Sequence, residues 1–194
     1  MKMSIRPVVK HSEGRLSMQG KAISITISML AMLASPKIAL ADEVTVKINI
    51  ALVDGVGEEV GSVKAKDTQY GLLLTPQLSG LTPGIHGFHV HENPSCDPAM
   101  KEGKSVAGLA AGGHYDPQGT GKHEGPYGNG HWGDLPPLIV DSKGNASLPV
   151  LAPRLKVSDL VGRSLIIHIH GDNYSDNPKP LGGGGDRIAC GIIN

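Results

Sequence analysis

The sequence predicts an all-β domain, an antiparallel sandwich or barrel, on three observations. Residues 44–52 alternate apolar and polar with a period of two, as a half-buried strand does. Turn signals recur about every ten residues between further apolar runs. Glycine (27) and proline (14) abound while aromatics make up 3% of the chain, a composition suited to short strands and turns. The 194 residues suffice for one domain of ordinary size.

In chain order, Val44, Val46, Ile48, Ile50 and Leu52 share one face of the first strand, with Thr45, Lys47 and Asn49 on the other. Asp54-Gly55 offers a turn. A second strand is expected near Val60–Lys66 and a third over Gln69–Thr75, closed by Pro76. Thr82-Pro83-Gly84 is another turn, and the strand Gly87-Phe88-His89-Val90-His91 follows. From Asn93 to Pro137 the alternation stops and no helix emerges, so this long loop is expected to be functional or disordered. Strands resume at Leu138–Asp141, turn at Lys143-Gly144 and return over Ala146–Leu151. Pro153–Gly162 is a connection with at most a helical turn at Val157–Val161. Ser164–His170 is a strand, Gly171–Asp186 a second long loop, and Arg187–Ile193 the last strand.

The N-terminal residues 1–41 read as an export signal, with the domain proper spanning 42–194. Lys21 precedes the apolar run Ala22–Ala34, and Ala39-Leu40-Ala41 is an A-x-A cleavage pattern, cut after Ala41. The run is too short to span a membrane, which takes about 20 residues. The basic region ahead of it is long, and Met18 is an alternative true start. A helix packed on the domain is the competing reading of this segment. No cysteine lies near the cut, which disfavours a lipoprotein and stable membrane association. Residues 1–41 hold six Lys/Arg and one acid; the remainder has twelve basic and seventeen acidic residues, a net charge of −5, which argues against nucleic acid as a partner. Only Cys96 and Cys190 are present, and two cysteines in an exported domain most often form one disulfide, with free thiols or thiolate ligands as the alternatives.

The chemistry is in the histidines. On a strand, His89 and His91 lie about 6.5–7 Å apart on one face, a spacing from which both rings can lean onto one metal. An isolated H-x-H is more often a pair of surface histidines, but this one is followed by His114, His123, His131 and His168. His114, His123, His131 and Asp134 make three imidazoles and one carboxylate, a tetrahedral set of the kind zinc favours. His89, His91 and His168 make an imidazole-rich set suited to copper. A shared imidazole can bridge the two.

Four stretches together closely resemble the bacterial periplasmic copper–zinc superoxide dismutases: Gly84–His91 (G-I-H-G-F-H-V-H), Gly112–Pro117 (G-G-H-Y-D-P), Gly130–Leu135 (G-H-W-G-D-L) and Gly182–Gly191 (G-G-G-G-D-R-I-A-C-G). The resemblance covers residues 43–194. It implies a Greek-key antiparallel β-barrel or sandwich, immunoglobulin-like, with two long functional loops. It implies a copper ion on His89, His91, His114 and His168, and a zinc ion on His114, His123, His131 and Asp134, with His114 as the bridge. Asp172 is then the carboxylate linking a copper histidine to a zinc histidine. Arg187 is the cationic guide beside copper, and Cys96 and Cys190 are the intrasubunit disulfide. The implied substrate is superoxide anion, the location the periplasm, and the assembly a monomer or homodimer. The catalytic residues are then Arg187 and His114, the latter releasing copper and carrying a proton.

Other features have plainer readings. His86 reads as a polar strut, His170 as a surface or structural residue, and Trp132 as packing under the loop or at a subunit contact. Lys101 and Lys104 read as solvated, with substrate steering as the alternative. The glycine run lacks the lysine and Ser/Thr of a phosphate loop and reads as backbone room beside copper. A rival function is a periplasmic module that buffers copper and zinc without turnover; Arg187 argues against it, because a storage site gains nothing from an anion guide. A structural adhesion domain is a third reading.

Overall fold

The computed structural model describes residues 43–194. The expected signal 1–41, its cut after Ala41 and the alternative start at Met18 lie outside the described residues. The strands are β1 (Glu43–Leu52), β2 (Gly55–Thr68), β3 (Gly71–Leu78), β4 (Gly84–His86), β5 (Phe88–His91), β6 (Ala99–Lys101), β7 (Lys104–Val106), β8 (Leu138–Val140), β9 (Val150–Ala152), β10 (Arg163–His168) and β11 (Arg187–Ile193). The only helical pieces among the described residues are single 3₁₀ turns at Leu109–Ala111, Val157–Asp159 and Leu181–Gly183. No helix among them is long and apolar enough to cross a membrane.

β5, β10, β11, β1, β2, β3 and β9 form one sheet in that order, every pair antiparallel. The run β11-β1-β2-β3 has the Greek-key order, three consecutive strands with a distant strand returned beside the first. Phe88 and Val90 from one edge strand share a core with Ala152 from the other edge, so the sheet curls upon itself. The β4–β8 pair supplies Leu138 and Val140 to the same core and closes its open side. The all-β architecture expected from the sequence is therefore present.

Five details depart from the sequence reading, the first being that the return expected over Ala146–Leu151 is a strand only at Val150–Ala152. In β1 a bulge around Asn49 shifts the pairing with β2, so the buried positions pass from Val46 and Ile48 to Ala51, and Leu52 faces solvent. β2 starts at Gly55, where Gly55–Glu59 lacks the apolar alternation that would reveal a strand. β3 runs through Pro76 to Leu78; on the edge away from β2, β9 partners only Leu72–Leu74 and a single bridge joins Leu78 to Ala146, so the proline falls in the gap between them, where no ladder bond asks for its missing N–H. The 93–137 loop is not structureless: β6 and β7 make a short hairpin within it, with Lys101 opposite Lys104. The second long loop, between β10 and β11, has no strand of its own.

β5 is an edge strand, and its free edge is covered by the first long loop. Tyr115 N–H donates to Val90 O (2.8 Å), Val90 N–H to Gly133 O (2.9 Å), and Glu92 N–H to Gly113 O (3.0 Å). These bonds lay His114 beside His91 and Asp134 beside His89. Edge capping and metal-site assembly are thus one set of backbone contacts.

Candidate metal centre

Alternation on β5 sends Phe88 and Val90 into the core and His89 and His91 to the opposite face, under the loops. β10 runs beside β5 with Ile166 opposite His89, and a register shift after Ile167 sets His168 at the strand end. His89, His91, His114 and His168 each offer a nitrogen, and these atoms lie within 4.8 Å of one another. A second group, His89, His114, His123 and Asp134, meets the same distance. His131 is not in that group by distance, but its Nδ1 lies 3.4 Å from Asp134 Oδ1. Asp134 Oδ1 is also 2.9 Å from His114 Nδ1 and 3.0 Å from His123 Nδ1, so three rings converge on one carboxylate oxygen.

The rings are oriented from behind. His89 Nε2–H donates to Asp172 Oδ2 and His123 Nε2–H to Asp172 Oδ1, each at 2.7 Å. His91 Nδ1–H donates to Gly112 O (3.0 Å) and His168 Nδ1–H to Gly185 O (2.9 Å). Each of these partners can only accept, so the nitrogen on that side carries a proton, and in the neutral ring the other nitrogen carries the lone pair. Those other nitrogens (His89 Nδ1, His91 Nε2, His123 Nδ1 and His168 Nε2) are buried without a well-directed hydrogen bond among the described residues, as is His131 Nδ1, although His123 Nδ1 and His131 Nδ1 lie 3.0 and 3.4 Å from Asp134 Oδ1. Buried polar atoms are normally paired. Five of them turned toward two clusters is the donor set that a pair of metal ions requires, and the residues fit copper and zinc. His89 falls in both groups by distance, yet one of its nitrogens is committed to Asp172. His114 has no hydrogen bond outside the cluster, which leaves both its nitrogens for it.

Burial pushes His89 and His91 well below the usual histidine range, and the neighbouring rings add to the effect. Burial also lowers His168, to about 4, against the pull of Gly185 O. Neutral imidazoles are the form that binds metal. His123 goes the other way: burial lowers it, but the carboxylates of Asp134 and Asp172 outweigh that and raise it to about 9. Asp134 is held far below the usual carboxylate range, its burial overcome by His114 and His123.

A cleft of about 320 Å³ leads to the all-histidine group, lined by His91, His114, His168, Arg187, Lys101 and Leu181. Arg187 is anchored in its wall, Nη1–H to Gly108 O (2.6 Å) and Nη2–H to Gly112 O (2.7 Å). Gly112 O also orients His91, so the two side chains share an acceptor. Cys96 and Cys190 are disulfide-bonded with Cα atoms 5.6 Å apart, which pins the start of the first loop to β11. Of the two lysines, Lys101 reaches the cleft. His86 is a buried strut between His168 O (2.7 Å) and Thr82 O (2.8 Å). His170 is exposed and belongs to neither group. A Cβ on Gly182 would overlap the Asp172 carboxylate and the His123 ring, which accounts for one member of the glycine run.

Two residues escaped the sequence reading. Asp176 accepts the backbone N–H groups of His123 (3.0 Å) and Leu181 (3.1 Å), tying the loops together. Arg154, after β9, donates to four carbonyls of the 125–131 segment. It lies in the stretch read as a connection, between Ala152 and Leu155, which the structure buries.

The sequence pattern of the family described as copper/zinc superoxide dismutase (SODC) matches residues 59–193. The Cu-Zn superoxide dismutase 1 of Salmonella typhimurium is 61% identical over 151 residues, covering 77% of this chain and 85% of that protein. The solved Cu/Zn superoxide dismutase from Brucella abortus is 54% identical with a TM-score of 0.77, covering 78% of this chain and 99% of that one. The solution structure of the monomeric copper, zinc superoxide dismutase from Salmonella enterica is 55% identical with a TM-score of 0.71, over 78% and 99%. Matched over residues 59–193, the chain belongs to the copper/zinc superoxide dismutase family.

Proposed function

We propose that this chain dismutates superoxide to dioxygen and hydrogen peroxide at a copper site linked through His114 to a zinc site. The observation that carries the reading is the set of five buried, unpaired ring nitrogens facing two clusters, with four of the rings tied from behind. Copper would be held by His89, His91, His114 and His168, and zinc by His114, His123, His131 and Asp134. Copper, when bound, would supply the one-electron couple that dismutation needs, while zinc, which has no redox chemistry, would hold structure and charge.

The protein's own groups supply the rest. Arg187 draws the anion to the cleft and holds it beside His91, its guanidinium stiffened by Gly108 O and Gly112 O. His114 Nδ1 faces Asp134, so Nε2 is the atom on the side of the other three histidines. Nε2 is therefore the place for a proton taken up in one half of the cycle and delivered to reduced oxygen in the other. Asp172 keeps the His89 and His123 rings in register through both halves. The balance is two superoxide anions and two protons giving one dioxygen and one hydrogen peroxide.

The protein is exported to the periplasm, as its A-x-A pattern and its disulfide support. It acts as a monomer or homodimer; the Salmonella enterica relative is described as monomeric. The test is metal analysis of the fragment from Asp42 together with a riboflavin–nitroblue tetrazolium assay. Stoichiometric copper and zinc with inhibition of dye reduction are expected. Both metals bound without inhibition would make the chain a metal-buffering module instead.

A further inference from the structure

We propose that Arg154 is the positioning residue for His131, and through it for the zinc half of the centre; this rests on the reading of His131 as a zinc ligand. His89, His91, His123 and His168 each have a hydrogen-bond partner on the nitrogen turned away from the cluster. His131 is the exception. Its ring makes no hydrogen bond among the described residues, and its Nδ1 is farther from Asp134 Oδ1 (3.4 Å) than those of His114 (2.9 Å) and His123 (3.0 Å). The hydrogen bonds that hold this residue are therefore made by its backbone.

Arg154 makes one of them. Its Nη2 donates to His131 O (2.5 Å) and Gly125 O (3.0 Å), its Nη1 to Gly130 O (2.9 Å), and its Nε to Pro126 O (3.2 Å). All four acceptors lie in the stretch between His123 and Asp134, and one belongs to His131 itself. On its other side, His131 N–H donates to Lys122 O (2.9 Å). The base of the clamp is in the core: Ala152 and Leu155, flanking Pro153-Arg154, are buried in the main hydrophobic cluster. Rigidity is thus carried from the core to a ligand on a loop that has no regular structure at that point.

The chemistry demands arginine. All four acceptors are carbonyls, which need donors spread in a plane, and a guanidinium has five N–H groups in a fixed fork. Lysine offers donors from one atom and cannot reach four separated carbonyls. No carboxylate forms a salt bridge with Arg154 among the described residues, so its role is geometric rather than that of an ion pair.

The test uses the purified copper- and zinc-loaded protein, stripped and reloaded, as wild type, Arg154→Met, Arg154→Lys and His131→Ala. Zinc affinity is read by competition with a chromophoric chelator, and ligand geometry by the visible d–d bands of Co²⁺ at the zinc site. Arg154→Met is expected to weaken zinc by roughly 10- to 100-fold and to shift the Co²⁺ bands, with copper affinity unchanged. Arg154→Lys should recover only part of both, and it carries the test if the methionine variant does not fold. A lower melting temperature with zinc affinity and Co²⁺ bands like wild type would overturn the proposal, leaving Arg154 a structural residue. So would full recovery by lysine. If His131→Ala leaves the Co²⁺ bands unchanged, the assignment of His131 as a ligand fails first, and the proposal with it.

Discussion

Replacing Asp172 by asparagine should release zinc more readily than copper. The carboxylate takes three hydrogen bonds at 2.7 Å each: His89 Nε2–H on Oδ2, and His123 Nε2–H and Tyr174 N–H on Oδ1. It is almost wholly buried, so no water replaces what is lost. Asparagine has one accepting oxygen and one donating NH₂, so one side must present donor to donor. His89 sits on β5, where the ladder to β10 fixes its position, whereas His123 sits on the irregular first loop. The rigid side will dictate the amide orientation, leaving the NH₂ toward His123 and Tyr174. Of the two bonds lost on that side, the one from His123 bears on zinc, and loss of a hydrogen bond to a charged acceptor costs about 1.5–3 kcal/mol. Carried into zinc affinity, that is roughly 10- to 100-fold. Copper should weaken less, because its bond to His89 survives but no longer has a charged acceptor. Competition titrations with chromophoric chelators, one metal at a time, measure both. Copper weakened more than zinc, or neither affected, would refute the idea that a rigid strand and an irregular loop share this carboxylate unequally.

Arg187→Ile should lower the bimolecular rate with superoxide by about an order of magnitude, with metal content intact. It should also flatten the dependence on salt from about 10 to 300 mM, since steering acts over a Debye length of about 8 Å at physiological salt; an unchanged rate by pulse radiolysis would remove Arg187 from the guidance role. Asp134→Ala should cost zinc and melting temperature more than copper, and His168→Ala should abolish turnover with little loss of melting temperature; equal effects on both measures would undermine two distinct sites. Replacing both cysteines by serine opens a link across 94 residues, worth roughly 4–5 kcal/mol in the chain-entropy model, and should lower the melting temperature by about 10–20 °C. In metal-free protein the lowered pKa of His168, about 4, makes its contribution full above the unfolded value near 6.5 and lost as pH falls toward 4. His89 and His91 act in the same sense and His123, raised to about 9, in the opposite one. Urea midpoints of metal-free protein should therefore fall between pH 6.5 and 4, and a flat profile would contradict the burial of neutral rings.

The residues expected at the metal sites come together because local chemistry announced them. The period of two across Phe88–His91 already separates core residues from the clustered histidines, and β5 has that orientation. Strand limits were harder to read where packing, not pattern, decides. The bulge at Asn49 inverts the faces of β1 without any change in the alternation of the sequence. The β6–β7 hairpin is three residues per strand, too short for periodicity to show. Backbone contacts leave no mark on composition at all. Gly112 O orienting both His91 and Arg187, and Arg154 holding four carbonyls, depend on where irregular chain passes in space. Any residue type could have supplied those carbonyls.

Whether the four-histidine group turns over superoxide is decided by following superoxide decay after pulse radiolysis. The protein carrying copper and zinc is compared with the same protein carrying zinc alone, each verified by metal analysis. The loaded protein should consume superoxide with a second-order rate constant approaching about 10⁸–10⁹ M⁻¹s⁻¹, the diffusional range, while the zinc-only protein leaves spontaneous decay unchanged. Decay no faster with both metals bound than with zinc alone would contradict dismutation at this site.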